Sequence, residues 1–360
     1  MPFLSLGLRM LMNVEALNMV ESVGNVVRHR TAPIIIRKSP GQYVMRWVVA
    51  ISGECLAHAY QSFLAELSEK NGINVCYWCK KNEFIKHFDL NFYKNTSNQI
   101  KYSSEEIELI NYTSKGVNTL DDVRRVEELI IRCCAVEDIG GFLTTQGPTK
   151  RTARFYVSYA IPTYDTVKDG IVALDHQFMV RHAPEAELRR QNKKEIPPAQ
   201  APYYPQIGSA LYAWIFNLDL NGIGISSVSG EPILELNEIK RRKELALNAL
   251  AEMLDNKLFG AKLTRFTPFI DFEVALAVVS DKIRFTVSPP ILTLSEFVKE
   301  TIERAEKARR DIDDAKIDLI VWCKDESIRK VIEEVAKDKA TVIATSSIRD
   351  LISEIKKQVI

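Results

Sequence analysis

A chain of 360 residues, 46% of them hydrophobic, has the apolar content to bury a sizeable core, as one elaborated domain or two modest ones. Its 48 Lys plus Arg against 47 Asp plus Glu leave a net charge of +1, which excludes bulk attraction to nucleic acid and restricts any polyanion binding to charge segregated on one face. No stretch reaches the roughly 18 uninterrupted apolar residues of a membrane span, and "MPFLSLGLRMLMNVEALN" lacks a basic start and a small-residue cleavage site, so a cytoplasmic globular protein with no membrane partner is expected.

The alternation of Leu4, Leu6, Leu8, Met10 and Met12 predicts a first strand with those residues on one face. "KSPGQYVMRWVVAI" predicts the return arm of a hairpin turning at Pro40 and Gly41. Ser52 then caps a helix that carries Leu56, Ala59, Tyr60, Phe63, Leu64 and Leu67 at helical spacing and closes at Gly72. Residues 73–135 are polar and mostly helical and are expected to form an insertion. A Gly- and Thr-rich basic loop feeds a strand from Ala153 to Ile161, and residues 164–205, with "EIPPAQAPYYP", form a second, loop-like insertion. A strand in "GSALYAWIFNLDL", a helix ending near Phe259-Gly260 and a strand after "GAKLTRFTPF" complete the central pattern. The tail, 295–360, alternates Ser295–Ala308 (helix), Asp318–Trp322 (strand), Ser327–Ala336 (helix), Ala340–Ala344 (strand) and Ile348–Lys357 (helix).

With both insertions set aside, the order is strand, helix, strand, strand, helix, strand. This matches an α+β fold of the ferredoxin-like or RNA-recognition type, βαββαβ, as one elaborated palm spanning 1–360. Such a sheet is expected to leave one face open, where RNA-binding versions meet backbone and stacked bases.

Three basic, Gly-containing loops recur at element boundaries: "GNVVRHRTAP", "DIGGFLTTQGPTKRTAR" and "FGAKLTRFTPF". Glycines permit close backbone approach, while Arg and Lys meet phosphates as forks or point charges. The candidate contacts are Arg28, His29 and Arg30; Arg46 on the hairpin; Gly140, Gly141, Lys150, Arg151 and Arg154; and Lys262 and Arg265. Ser52 and Gly53 add a helix N-terminus, with His58 about two turns in. In the second insertion Phe178 and Met179 sit beside Arg181 and His182, an apolar wedge next to cations. The basic residues Arg189, Arg190, Lys193 and Lys194 follow.

No G-x-S-x-G, H-E-x-x-H, Walker or dinucleotide motif occurs, so no enzyme is expected and no cofactor is implied. The alternative from the enzyme class is a metal-independent endoribonuclease using His29 and His58 as an acid–base pair. Cys76 and Cys79 form a C-x-x-C pair, but no second pair accompanies them and Cys133-Cys134 are vicinal. Buried or incidental thiols are therefore favoured over a metal site, with a disulfide between the two groups as the runner-up.

Four stretches together, "NVEALNMVESVGNVVRHRTAPIII", "VVAISGECLAHAYQ", "DIGGFLTTQGPTKRTARFYVSYAIP" and "FGAKLTRFTPF", resemble the DevR-like autoregulator family of CRISPR-associated proteins over roughly the first 290 residues. The nearest resemblance is to the archaeal type I-A Cascade backbone subunit, Cas family seven of the RAMP superfamily. The resemblance implies a palm with a helical insertion and a thumb, and binding of CRISPR RNA without cutting it. It also implies copies stacked in a filament along the guide spacer. The implied partners are CRISPR RNA, a target DNA strand paired to the guide, other copies of the chain, and Cascade subunits of Cas family five and the small and large types. Carried onto this sequence, the implied guide contacts are Arg28, Arg30, Ser52, Gly53, His58, Gly140, Gly141, Lys150 and Arg151, with Phe178, Met179 and Arg181 in the thumb. The chain departs from the family pattern at Met179, where a histidine precedes the Val-Arg pair. A transcriptional autoregulator is a third possibility, for which no helix-turn-helix pattern stands out.

Overall fold

A computed structural model describes residues 2–145, 147, 149–182, 200–326, 329–330, 332, 334 and 342–360, with backbone alone at 181–182 and 200–201. The tail helix expected at Ser327–Ala336 and the basic run Arg189, Arg190, Lys193 and Lys194 lie wholly or largely outside the described residues.

The first strand, β1 (Phe3–Glu15), buries Leu4, Leu6, Leu8, Met10 and Met12 in one apolar cluster, as the alternation predicts. Each such side chain contributes about 1.5–3 kcal/mol relative to full exposure. β2 (Met19–Val23) and β3 (Val26–His29) form a tight hairpin whose two-residue turn holds Gly24 at φ +57°. β4 (Thr31–Ser39) and β5 (Gln42–Val49) pair across Pro40-Gly41. α1 (Gly53–Lys70) follows, capped by the Ser52 hydroxyl, which accepts from Cys55 N–H.

The polar segment after α1 is helical: α2 (Tyr77–Lys80), α3 (Leu90–Thr96), α4 (Ser104–Thr113), α5 (Leu120–Cys133) and α6 (Ala135–Gly140). Capping boxes at Ser103/Glu106 and Thr119/Asp122 start α4 and α5. Short strands β6 (Phe142–Leu143), β7 (Lys150–Arg151), β8 (Phe155–Val157) and β9 (Ile161–Pro162) precede α7 (Tyr164–Lys168).

Where it is described, the second insertion carries strands. β10 (Ala173–His176) and β11 (Met179–His182) pair with the first half of β12 (Gln200–Asp219), a strand that starts eight residues before the expected "GSALYAWIFNLDL" at Gly208. α8 (Leu236–Asn256), β13 (Phe269–Ser280), α9 (Leu294–Asp311), β14 (Ile317–Cys323), β15 (Val342–Ala344) and α10 (Ile348–Val359) complete the chain.

β13, β1, β12 and β8 lie side by side in that order, each antiparallel to its neighbour. α1 and α8 pack together on one face, against the Leu4–Met12 row. The other face, expected to be open, is open only in part. Over β13 and β1 it is covered by α9, whose Phe297 and Val298 pack on Val274, Leu276 and Val278. A Cβ at Gly7 would lie 2.8 Å from the Phe297 ring, so glycine here admits the helix. The tail also widens the sheet, β14 antiparallel to β13 and β15 parallel to β14, while α10 joins the α8 side. Among the described residues no helix is long and apolar enough to cross a membrane.

Candidate nucleic-acid interface

The β2–β3 hairpin delivers the Arg28-His29-Arg30 cluster, and its three side chains part ways. Arg28 is exposed and pairs with equally exposed Glu21 at 3.1 Å, a contact worth about 0–1 kcal/mol that a phosphate could displace. His29 turns inward. Its Nε2 lies 2.8 Å from Glu15, its Nδ1 lies 2.9 Å from the Arg30 carbonyl, and the same carboxylate accepts from Tyr212 Oη at 2.6 Å and Leu17 N–H at 2.8 Å. The two acceptors raise the imidazole pKa above its ordinary 6.5 despite the opposing effect of burial. His29 is therefore a buried brace, which corrects its assignment as an RNA contact. Arg30 is half-buried, with Nη1 3.5 Å from the hydroxyl of exposed Tyr159.

Leu17 and Asn18, between β1 and β2, are the crossing point of the site. The Asn18 carbonyl accepts from Arg30 N–H at 2.9 Å, and its side-chain oxygen accepts from Ser52 N–H at 2.6 Å. The Leu17 carbonyl accepts from Ala261 N–H at 3.0 Å and from the Cys55 thiol at 3.4 Å. Arg30, the start of α1 and the Gly260 loop are thereby tied into one surface. Gly260 has φ +89°, and a Cβ there would meet Leu17 at 2.9 Å, so this close approach requires glycine. Lys262 and Arg265 are exposed on the loop, Arg265 over the ring of Tyr203 at 5.9 Å. His58, exposed and edge-on to Phe84, lines an open groove of about 400 Å³ that also holds Lys80 and Gly260. Ser52 itself is buried, and Gly53 packs where a Cβ would lie 3.1 Å from the Val157 carbonyl. Both set the geometry of the helix start, and of the N–H groups expected to face a phosphate there, that of Ser52 is already donated to Asn18 Oδ1.

The Gly-rich loop behaves differently. Gly140 ends α6 with its carbonyl accepting from Lys86 Nζ at 2.8 Å, and Gly141 takes φ +70° where a Cβ would lie 2.5 Å from the Arg151 carbonyl. Arg151 is fully buried: it reaches Asp138 at 2.5 Å, Glu127 at 3.4 Å, and the carbonyls of Gly222 and Ile225 at 2.6 and 2.7 Å. Arg154 is mostly buried, 3.8 Å from Asp219 and donating to Ser227 at 3.0 Å. Arg151 and Arg154 are structural cations, correcting their placement among the RNA contacts. Lys150 is the exposed cation of this loop.

On the arm formed by β10, β11 and β12, Phe178 is 63% exposed and tilts on Tyr204 at 5.5 Å, while Met179 accepts from Tyr203 Oη at 3.2 Å. Arg181 and His182 belong to the β11 backbone, and their side chains lie outside the described residues. Arg46 is exposed on β5 on the same face as Val44 and Val48, while the opposite, outer face of the hairpin bares Ile35, Tyr43, Met45 and Trp47. Sequence reasoning missed Asn18, Glu15 and Tyr159. Asn18 alone had a local signal, a polar residue closing an apolar strand.

Residues 6–302 match the model of the CRISPR-associated negative auto-regulator DevR/Csa2 family, and the chain belongs to that family, a Cas7-type CRISPR-associated subunit. It is 34% identical over 307 residues to the CRISPR-associated aCascade subunit Cas7/Csa2 2 of Saccharolobus solfataricus, covering 84% of this chain and 86% of that one. A second protein of that organism, Cas7/Csa2 1, is 34% identical over 281 residues, covering 78% and 80%. The Cas7/Cst2/DevR protein of Methanocaldococcus jannaschii is 26% identical over 319 residues, covering 87% and 92%. Among solved structures, a chain of a CRISPR RNA-guided surveillance complex in a pre-nicking state shares the fold with TM-score 0.53 at 11% identity, over 99% of this chain and all of that one.

Proposed function

We propose that this chain is a non-catalytic backbone subunit of a type I-A Cascade ribonucleoprotein, gripping CRISPR RNA by its backbone and presenting the guide to a target DNA strand. The observation that carries this reading is the convergence on Leu17-Asn18 of Arg30 beside Tyr159, the α1 start and the Gly260 loop with its exposed Lys262 and Arg265. Cations beside exposed aromatic rings suit a single-stranded polyanion whose bases are unstacked. The antiparallel order β13-β1-β12-β8 supports an RNA-recognition palm, elaborated by a helical insertion and by the β10–β12 arm as the thumb. The outer face of the β4–β5 hairpin, with Ile35, Met45 and Trp47 exposed, suits contact between stacked copies or with other Cascade subunits. His29, braced between Glu15 and a carbonyl, is a poor partner for His58 in acid–base cleavage, which supports the scaffold over the ribonuclease.

The test is binding of a spacer-length single-stranded RNA across a salt series, with Arg30→Ala and Arg265→Ala together. The expected result is weakening that is independent of spacer sequence, with the slope of log K against log salt reduced by about 0.7 per lost phosphate contact. Unchanged affinity and slope, tighter binding to a promoter duplex, or RNA cut in chelator would each overturn the proposal.

A further inference from the structure

The helical region between α1 and the Gly-rich loop contains a cluster that RNA binding does not use. Cys76 precedes α2 and Cys79 sits one turn on within it, while Cys134 joins α5 to α6 and Glu137 lies one turn into α6. One sulfur from each cysteine and one Glu137 carboxylate oxygen all lie within 4.8 Å of one another, and all four residues are buried. The vicinal pair is split by the bend between the two helices: Cys133 faces His87 and Glu106 instead. All six cysteines are free thiols, so the disulfide considered from sequence is not formed.

Two further observations point to a cation site. Glu137 is fully buried, and while its Oε1 accepts from His87 Nδ1 at 2.7 Å and from the Cys76 thiol at 3.3 Å, its Oε2 has no hydrogen-bond partner among the described residues. A buried carboxylate oxygen left bare costs several kcal/mol unless something positive meets it. The cluster also lies within the electrostatic reach of Lys86, a largely buried ammonium whose hydrogen-bond partner is the Gly140 carbonyl. Lys86 already feels the Glu137 carboxylate, and a cluster that becomes anionic on binding metal would add to that counter-charge.

We propose that Cys76, Cys79, Cys134 and Glu137 form a structural zinc site that pins α2 to the α5–α6 junction. A tetrahedral ion with bonds of about 2.3 Å to sulfur sets its thiolates roughly 3.7 Å apart, within the observed spread. Three thiolates and one carboxylate favour zinc over a hard cation, and donors this close together suit one ion rather than an iron–sulfur cluster whose thiolates bind separate irons. His87, stacked on Tyr93 at 4.4 Å, holds Glu137 from behind in the manner of an outer-shell partner. Binding expels the thiol protons and forms four bonds to the ion, with no change of oxidation state. The site is closed, with no open position, so its role is to hold α6 and the Gly140-Gly141 turn in place.

The test is metal analysis of the full-length chain, reduced, reconstituted with zinc alone and then desalted. One zinc per chain, with three sulfur neighbours and one oxygen in X-ray absorption, is expected; cobalt substitution should give the thiolate charge-transfer band of a tetrahedral site. Cys79→Ser and Cys134→Ser should lose most of the metal, and Cys55→Ser, outside the cluster, should keep it. Because the cluster variants can fail to fold, the native chain decides. Clearly substoichiometric zinc, zinc without sulfur neighbours, or a disulfide among Cys76, Cys79 and Cys134 by mass spectrometry would overturn the assignment.

Discussion

Arg151→Met separates a structural cation from a ligand contact. The guanidinium pairs with Asp138 and Glu127 and also donates to the carbonyls of Asp138, Gly222 and Ile225, with no exposed surface on any of the three charged side chains. Arg242 reaches Asp138 at 3.0 Å and Gly224 N–H donates to it, so that carboxylate keeps a cation and a donor, whereas Glu127 keeps the Ser226 hydroxyl and Ser227 N–H but loses its only cation among the described residues. Removing one member of a buried pair costs about 3–5 kcal/mol, and the three orphaned carbonyls place this site at the upper end, near ~5 kcal/mol. In guanidinium, with a denaturant slope of roughly 5 kcal/mol/M, the unfolding midpoint should fall by about 1 M. RNA affinity of the molecules that remain folded should be unchanged at moderate salt. A midpoint shift below about 0.2 M together with lost RNA binding would refute the reasoning, because it would mean that the side chain leaves its acids to meet the ligand.

The His29–Glu15 brace predicts a pH dependence with a definite sign. Because the folded imidazole has a raised pKa, its contribution is fully present below the ordinary value of 6.5 and is lost as pH rises through the folded value, so urea unfolding should show the gap between native chain and His29→Gln narrowing above neutrality. A gap that widens with pH would contradict the brace. Gly141→Ala forces φ +70° on a side chain 2.5 Å from the Arg151 carbonyl and should cost well over about 1 kcal/mol in the same assay, against a smaller loss of about 1 kcal/mol for Gly170→Ala, which shares the left-handed backbone without the crowding. Trp47→Glu places a charge on the outer face of the β4–β5 hairpin; light scattering with guide RNA should show shorter assemblies at unchanged monomer stability, and full-length assemblies would remove that face from the subunit contact.

What could be read from the sequence was local. β1 and α1 announce themselves because Leu4 to Met12 alternate and Leu56 to Leu64 recur at helical spacing, and both patterns need only one partner surface to be satisfied. The inward turn of His29 and Arg151 could not be read that way, because the acids that justify burying them lie 14, 13 and 24 residues away, on elements that meet only when folded. The β2–β3 hairpin did carry a signal, Gly24-Asn25 between Val23 and Val26, that the charge of Arg28 to Arg30 overshadowed. The prolines of "EIPPAQAPYYP" argue for a loop, yet Pro202 and Pro205 are within β12. Pro205 needs no N–H there: its carbonyl accepts from Gln177 N–H at 2.9 Å, while Tyr204 N–H donates to the Asn25 carbonyl at 2.8 Å. The cysteines show the same limit from the other side, since Cys134 and Glu137 join Cys76 and Cys79 only through the α5–α6 bend.

The tail has the largest consequence for where a polyanion can bind. A four-stranded antiparallel sheet with both helices on one side would leave β1 and β13 bare on the other, but Phe297 over Gly7 and Val298 against the β13 row remove that surface from solvent. The part of that face still open lies toward β8, where Tyr156 is exposed opposite Asn217, and Tyr159 follows at the end of the strand beside Arg30. Covering the sheet therefore leaves the exposed aromatic rings at its edge, where the loops tied to Leu17-Asn18 present their cations. Stacking and charge then share one rim, while Arg151 and Arg242 are spent on buried acids and outward cations elsewhere, such as Lys70, Arg124 and Lys357, pair with acids on their own helices.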